Sequence, residues 1–192
     1  MLASKSVREL VDAFSAPTPT PGGGSAAALA GAMAASLLAM VAGMSKTRTA
    51  GDDARRALDA VRLPLLTRRD ELMDLMDRDS AAYETVVAAY KLPKTTGEEK
   101  SERKAAIARA MRVATDVPMD TARASHALLV HGRIVADHGN PNASSDVGVA
   151  QSLARTAFAG ARLNVETNLD GVGDESYARA IRSELESLAR DL

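Results

Sequence analysis

The sequence predicts an all-α protein, a bundle of long, partly kinked, antiparallel helices, and three observations predict it. Aromatic residues make up only 3% of the 192-residue chain while hydrophobic residues reach 46%, so the core is built from Ala, Leu, Val and Met. Such a core suits close helix packing better than sheets, which favour aromatic and β-branched residues. Apolar residues recur at helical spacing along most of the chain, and no stretch sustains period-two alternation. Pro- and Gly-rich turns separate a few long periodic segments, and no fixed-length repeat is present.

The elements follow in order. Val7, Leu10, Val11 and Phe14 mark a helix over Ser6–Phe14, with Ser6 and Glu9 spaced as a capping box. The stretch from Ala16 to Gly24 carries three prolines and three glycines, a shaped loop that leads directly into an apolar helix over Gly24–Ser45. From Gly22 to Ser45 there is no charge, long enough to span a bilayer. Its Ala, Gly and Ser content predicts instead a central bundle helix enclosed by protein on every side. A third helical region covers Asp52–Tyr90, with Pro64 expected to kink it, break it or start a fresh turn. Leu92–Gly97 reads as a turn, and Glu98–Asp137 as a fourth helical region interrupted at Pro118. A second shaped loop, His138–Ala143, precedes a helix capped by Ser144 or Ser145 and running to Leu169. Gly171–Gly173 ends it, and Asp174 or Ser176 opens the last helix. No linker divides the chain, so residues 1–192 read as a single domain.

Composition narrows the function. A net charge of -1 gives no global attraction to nucleic acid or to an anionic membrane. Cysteine is absent, which removes disulfides and thiolate chemistry and fits the cytoplasm. The start of the chain has no signal-peptide pattern. His126, His131 and His138 lack metal-ligand spacing and have no completing carboxylates, so no metal site is expected.

Three clusters hold residues capable of chemistry. Pro21, Gly22, Gly23, Gly24 and Ser25 precede a helix, where unpaired N–H groups attract anions or carbonyl oxygens. The same glycines also serve a tight entry into a crowded helix. Asp79, Tyr83 and Tyr90 share one helical stripe next to Lys91; a buried Asp79 would be a tuned acid or base, and an exposed one merely another carboxylate after Asp74 and Asp77. Asn140, Ser145 and Asp146 lie at the second loop, and Asn164 and Asn168 are polar i, i+4 neighbours on an apolar helix. Buried amides need partners, so the two asparagines either hold a loop or read a polar ligand.

In this order and register, three segments resemble the cyclodeaminase/cyclohydrolase family of folate enzymes. They are Pro21–Ala28 leading to Ala39–Gly43, Asp79–Tyr83 leading to Ala89–Pro93, and Asn140 with Ser145–Asp146, Gly160–Val165 and Asn168–Leu169. One departure is that the family's Leu-Thr-x-Gly-basic run is here Met44–Arg48, which keeps Arg48 and lacks the glycine. The resemblance implies a helical homodimer acting on the carbon between N5 and N10 of a tetrahydrofolate derivative, as cyclohydrolase or cyclodeaminase, with no tightly bound cofactor. It implies Asp79 or Asp146 as acid/base, the glycine loop, Ser25 and Tyr83 around the ligand, and Asn140, Ser145 and Asn164 on the pterin or amide. Arg48 and Lys91 are then expected at the glutamate carboxylates. A folate-binding or scaffold protein without catalysis is the alternative.

Overall fold

In the computed structural model, which describes residues 1–49 and 51–190, six α-helices form and no strand is present among the described residues. They are α1 (Val7–Ser15), α2 (Gly23–Ala42), α3 (Asp52–Tyr90), α4 (Gly97–His138), α5 (Ser144–Leu169) and α6 (Glu175–Arg190). Short 3₁₀ turns cover Leu2–Ser4 and Pro141–Ala143. Ser6 and Glu9 form the expected capping box on α1, and Thr96 and Glu99 form a second one on α4. Ser144 and Ser145 do not cap α5; its N-cap is Ala143, and Asn140 caps the preceding 3₁₀ turn by accepting from the Asn142 N–H at 3.0 Å. Asp174 opens α6 by accepting the Tyr177 N–H at 3.0 Å.

The long helices α3 and α4 pair along their length, and α2 lies against α3 and α5 with α4 behind it. Small residues set this closeness. A Cβ on Gly31 would sit 3.1 Å from Leu72 and 3.4 Å from Ala157, and one on Gly160 would sit 3.0 Å from the Ala27 Cβ. The main core runs from Ala28 to Ala42 on α2 through Leu58, Leu65, Leu72, Leu75 and Met76 on α3 to Leu128 and Val135 on α4. A smaller core under α6 joins Met119, Phe158 and Val165 to Ile181 and Leu185. Arg123 fixes α6 there with a two-pronged contact to Glu184, at 2.7 and 2.8 Å.

Two expectations are corrected. The apolar helix α2 ends at Ala42, and it is not enclosed on every side: Ala26, Met33, Ser36 and Met40 form an exposed, uncharged line along it. Nor does Pro118 interrupt its helix, since α4 continues through it; α3 likewise continues through Pro64 without a break. At Pro118 the physical reason is visible. Proline cannot donate to the carbonyl four residues back, which belongs to Ala114. The Asn168 side-chain amide donates to that carbonyl instead, at 2.5 Å, so α4 passes the proline without an orphaned acceptor.

Candidate active site

The glycine-rich entry of α2 meets α3 at Asp79. Gly22, the N-cap, has no side chain to satisfy the first helical N–H groups. Asp79 takes that place from the neighbouring helix. Its Oδ2 accepts the Ser25 hydroxyl at 2.8 Å, and the Ser25 backbone N–H also favours its charge. Gly24 is required here, because a Cβ would lie 2.1 Å from the Asp79 Oδ1. Burial pushes the Asp79 carboxyl above the usual aspartate range, and the Ser25 hydroxyl and N–H pull it part of the way back. The result is a half-buried carboxyl at a helix N-terminus, suited to exchanging protons.

Asp79 opens into a cavity of about 420 Å³. Its floor is Gly22, Gly23 and Gly24, with Pro19 and Thr20 as a rim. Helix α3 adds Tyr83 and Val86, α4 adds Met111 and Ala114, and α5 adds Asn164, Thr167 and Asn168. The asparagine side chains are already anchored: Asn164 donates to the Gly160 carbonyl at 2.8 Å, and Asn168 to Ala114. Each keeps an amide oxygen that can accept from a ligand N–H. Among the described residues, Asp79 is the only carboxylate lining this cavity, and no Lys or Arg lines it.

A second cavity, of about 370 Å³, begins one turn of α4 away, at Ile107 and Ala108. Lys94, Lys100, Arg103 and Lys104 line it, with no acidic residue among the described ones, opposite Gly171–Gly173. Met111 divides the two spaces; a Cβ on Gly171 would come within 2.5 Å of its Cε. Arg103 is tied to the end of α3, donating to the Tyr90 carbonyl at 3.0 Å and lying over the Tyr90 ring at 5.4 Å.

The candidate residues therefore divide. Gly22, Gly23, Gly24, Asp79, Tyr83 and Asn164 converge on one cavity. Ser25 is fully buried and bonded to protein, so it supports the carboxylate and does not meet a ligand directly. Pro21 does not line the cavity; the rim is Pro19 and Thr20. Lys91, beyond the end of α3, and Tyr90 do not line it either. Arg48, Asn140, Ser145 and Asp146 lie near the other end of α2, a 20-residue helix about 30 Å long. There Arg48 bonds the His138 and Ala136 carbonyls, and the Asn140 amide sits 3.7 Å from the Met44 sulfur. Within one chain Arg48 and Asn140 secure the loop between α4 and α5, and none of the four lines the cavity at Asp79. Among the described residues, no cluster of His or carboxylates suits a metal ion. The sequence reading missed Met111, Thr167 and the basic cavity. The Lys- and Arg-rich start of α4 was a signal for the last; the other two come from tertiary packing alone.

Fold and site together define a helical-bundle protein with a glycine-floored pocket around the half-buried Asp79 carboxyl. Residues 6–187 match the sequence profile of the family described as Formiminotransferase-cyclodeaminase, and the chain belongs to that family. It is 36% identical over 188 residues to the methenyltetrahydrofolate cyclohydrolase of Methylorubrum extorquens, a match covering 98% of this chain and 90% of that one. It is 34% identical to the formimidoyltransferase-cyclodeaminase of Gallus gallus over 92% of this chain, but only 32% of that longer protein. The crystal structure of formiminotetrahydrofolate cyclodeaminase from Thermotoga maritima superposes with a TM-score of 0.87 at 29% identity, over 99% of this chain and 91% of that one.

Proposed function

We propose that this chain is a cytoplasmic folate one-carbon enzyme acting on the carbon between N5 and N10 of tetrahydrofolate, with Asp79 as its acid/base. The observation that carries this reading is the Asp79 carboxyl, raised by burial, set on the glycine floor of a cavity of about 420 Å³. Methenyltetrahydrofolate cyclohydrolysis is the first reading, because the cyclohydrolase relative matches along 90% of its length at 36% identity.

In that reaction Asp79 takes a proton from water as the oxygen bonds to the methenyl carbon. The tetrahedral carbon then releases N5, which receives the proton from Asp79. The new hydroxyl loses its proton to solvent as the 10-formyl C=O forms. Cyclodeamination is the second reading, favoured by the close fit to the Thermotoga maritima cyclodeaminase. There the formimino group enters as its protonated amidinium. As N10 bonds to the formimino carbon, Asp79 carries the N10 proton to the resulting amine, which departs as ammonia and leaves the methenyl cation. Both routes need only proton transfer, so neither calls on a tightly bound cofactor. Asn164 and Asn168 offer amide oxygens to pterin N–H groups, and Tyr83 offers a ring face. The Lys94, Lys100, Arg103 and Lys104 cavity suits the glutamate carboxylates, in place of Arg48.

The exposed line on α2 supports a homodimer. Its residues carry no charge over the helix length, and a second copy supplies an equally uncharged line.

The test is to offer purified protein 5,10-methenyltetrahydrofolate and, separately, 5-formiminotetrahydrofolate, subtracting the spontaneous rate. Enzymatic loss of the methenyl absorbance supports the hydrolase, and gain from the formimino substrate with ammonia release supports the deaminase. No catalysis with either, alongside folate binding, would favour a binding or scaffold protein.

A further inference from the structure

Ser25 has no access to solvent, yet its hydroxyl is surrounded by polar atoms of another helix. It lies 2.8 Å from the Asp79 Oδ2, 3.1 Å from the Ser80 Oγ and 3.1 Å from the Met76 carbonyl oxygen. A hydroxyl has one hydrogen and can accept others. The short contact to a carboxylate oxygen is the stronger place for that hydrogen. Ser80 can then donate to the Ser25 Oγ, which gives a directed chain from Ser80 through Ser25 to Asp79 Oδ2. The Asp79 Oδ1 overlies Gly24, on the floor of the cavity, where a Cβ would collide with it at 2.1 Å.

We propose that Ser25 is a positioning residue that holds Asp79 Oδ2 and so leaves Oδ1 as the oxygen that exchanges protons with the substrate. This rests on the assignment of Asp79 as acid/base. Three features make the role specific. Ser25 cannot touch a ligand, because it is fully buried and absent from the cavity wall. It belongs to α2 while Asp79 belongs to α3, so it sets the carboxylate relative to the glycine floor across a helix–helix contact. Its own orientation is held by Ser80, whose hydroxyl can donate to the Ser25 Oγ at 3.1 Å. Fixing a reacting group within a few tenths of an ångström is what turns proximity into rate.

The experiment compares wild type with Ser25→Ala, Ser25→Cys and Asp79→Asn in the blank-subtracted methenyl assay, and in the formimino assay if that is the active reaction. For Ser25→Ala, kcat falls about tenfold or more while KM changes less than about twofold, as expected for loss of a hydrogen bond to a charged group. The acidic limb of its kcat profile moves to higher pH, because a donor to the ionised carboxyl is lost. Around Asp79, helices α2, α4 and α5 line the cavity with no charged side chain, and Tyr83 is the other titratable group on the wall, so the limb reports Asp79. Ser25→Cys, similar in size with a weaker donor, falls between wild type and Ser25→Ala; it also serves if the alanine variant does not fold. Wild-type kcat in a folded Ser25→Ala, with Asp79→Asn inactive, would overturn the positioning role and leave Asp79 standing. Full activity in Asp79→Asn would overturn both. A rise in KM matching the fall in kcat/KM would overturn it too, by showing that Ser25 serves binding.

Discussion

At the scale of residues, the site turns on one carboxyl and the glycine beside it. Replacing Asp79 by Asn keeps the shape and removes the proton exchange, and kcat is expected to fall about 10²- to 10⁴-fold in the steady-state assay. The same change has a consequence for stability. The folded-state pKa of Asp79 is raised by burial, so its ionisation costs folding energy. That cost is absent below the pKa of the unfolded chain and grows as pH rises through the raised value. Asp79→Asn is therefore expected to melt above wild type at pH 8, with the gap closing towards pH 4; a constant gap in thermal scans would contradict the burial argument. Gly24→Ala places a Cβ 2.1 Å from Oδ1 and must displace the carboxyl, so activity drops sharply. Gly23→Ala meets only the Asn164 amide at 3.6 Å and leaves the fold intact. The Pro-Gly-Gly-Gly-Ser run was legible in the sequence because such residues have few roles before an apolar helix, whereas spacing alone leaves Asp79 readable as one more surface carboxylate and the family resemblance singles it out. Their direct contact was not, since the position of α3 against α2 is set by packing over 54 residues of separation.

Among the helices, the most instructive point is where α4 passes Pro118. Periodicity marked the helix, and the proline rule predicted an interruption. The rule fails because a side chain from α5 completes the hydrogen bond that Pro118 cannot make. Asn168→Ala leaves the Ala114 carbonyl without this donor and is expected to cost about 1–3 kcal/mol in chemical denaturation. On a Pro118→Ala background the loss should shrink, because the restored N–H can serve the same carbonyl; equal losses on both backgrounds would refute the substitution. Helix identities and caps were readable locally, as the Ser6–Glu9 box shows. The α5 cap was misplaced because Ser144 and Ser145 sit inside the helix once Asn140 has capped the turn before it.

For the molecule as a whole, the uncharged stretch on α2 admitted several readings in the sequence, and the fold narrows them. Its inner faces pack on α3, α4 and α5, while Met33 at 50% and Met40 at 44% exposure remain uncovered. If two copies meet along this line, Met33→Glu places like charges across a desolvated seam. Light scattering is then expected to show wild-type dimers and Met33→Glu monomers, whereas monomeric wild type would contradict the proposal. The family resemblance points to Arg48, Asn140, Ser145 and Asp146 as site residues, while polar residues at a shaped loop alone signal either binding or loop closure. In the fold, Arg48 and Asn140 bond the loop, about the length of α2 away from Asp79. The central claim is that proton transfer by Asp79 drives chemistry at the carbon between N5 and N10. The most direct measurement is the enzymatic rate of 5,10-methenyltetrahydrofolate loss with wild type and Asp79→Asn at matched, saturating substrate. The account predicts turnover by wild type, and for a folded Asp79→Asn a rate at least about 100-fold lower. Equal rates from the two proteins would contradict it.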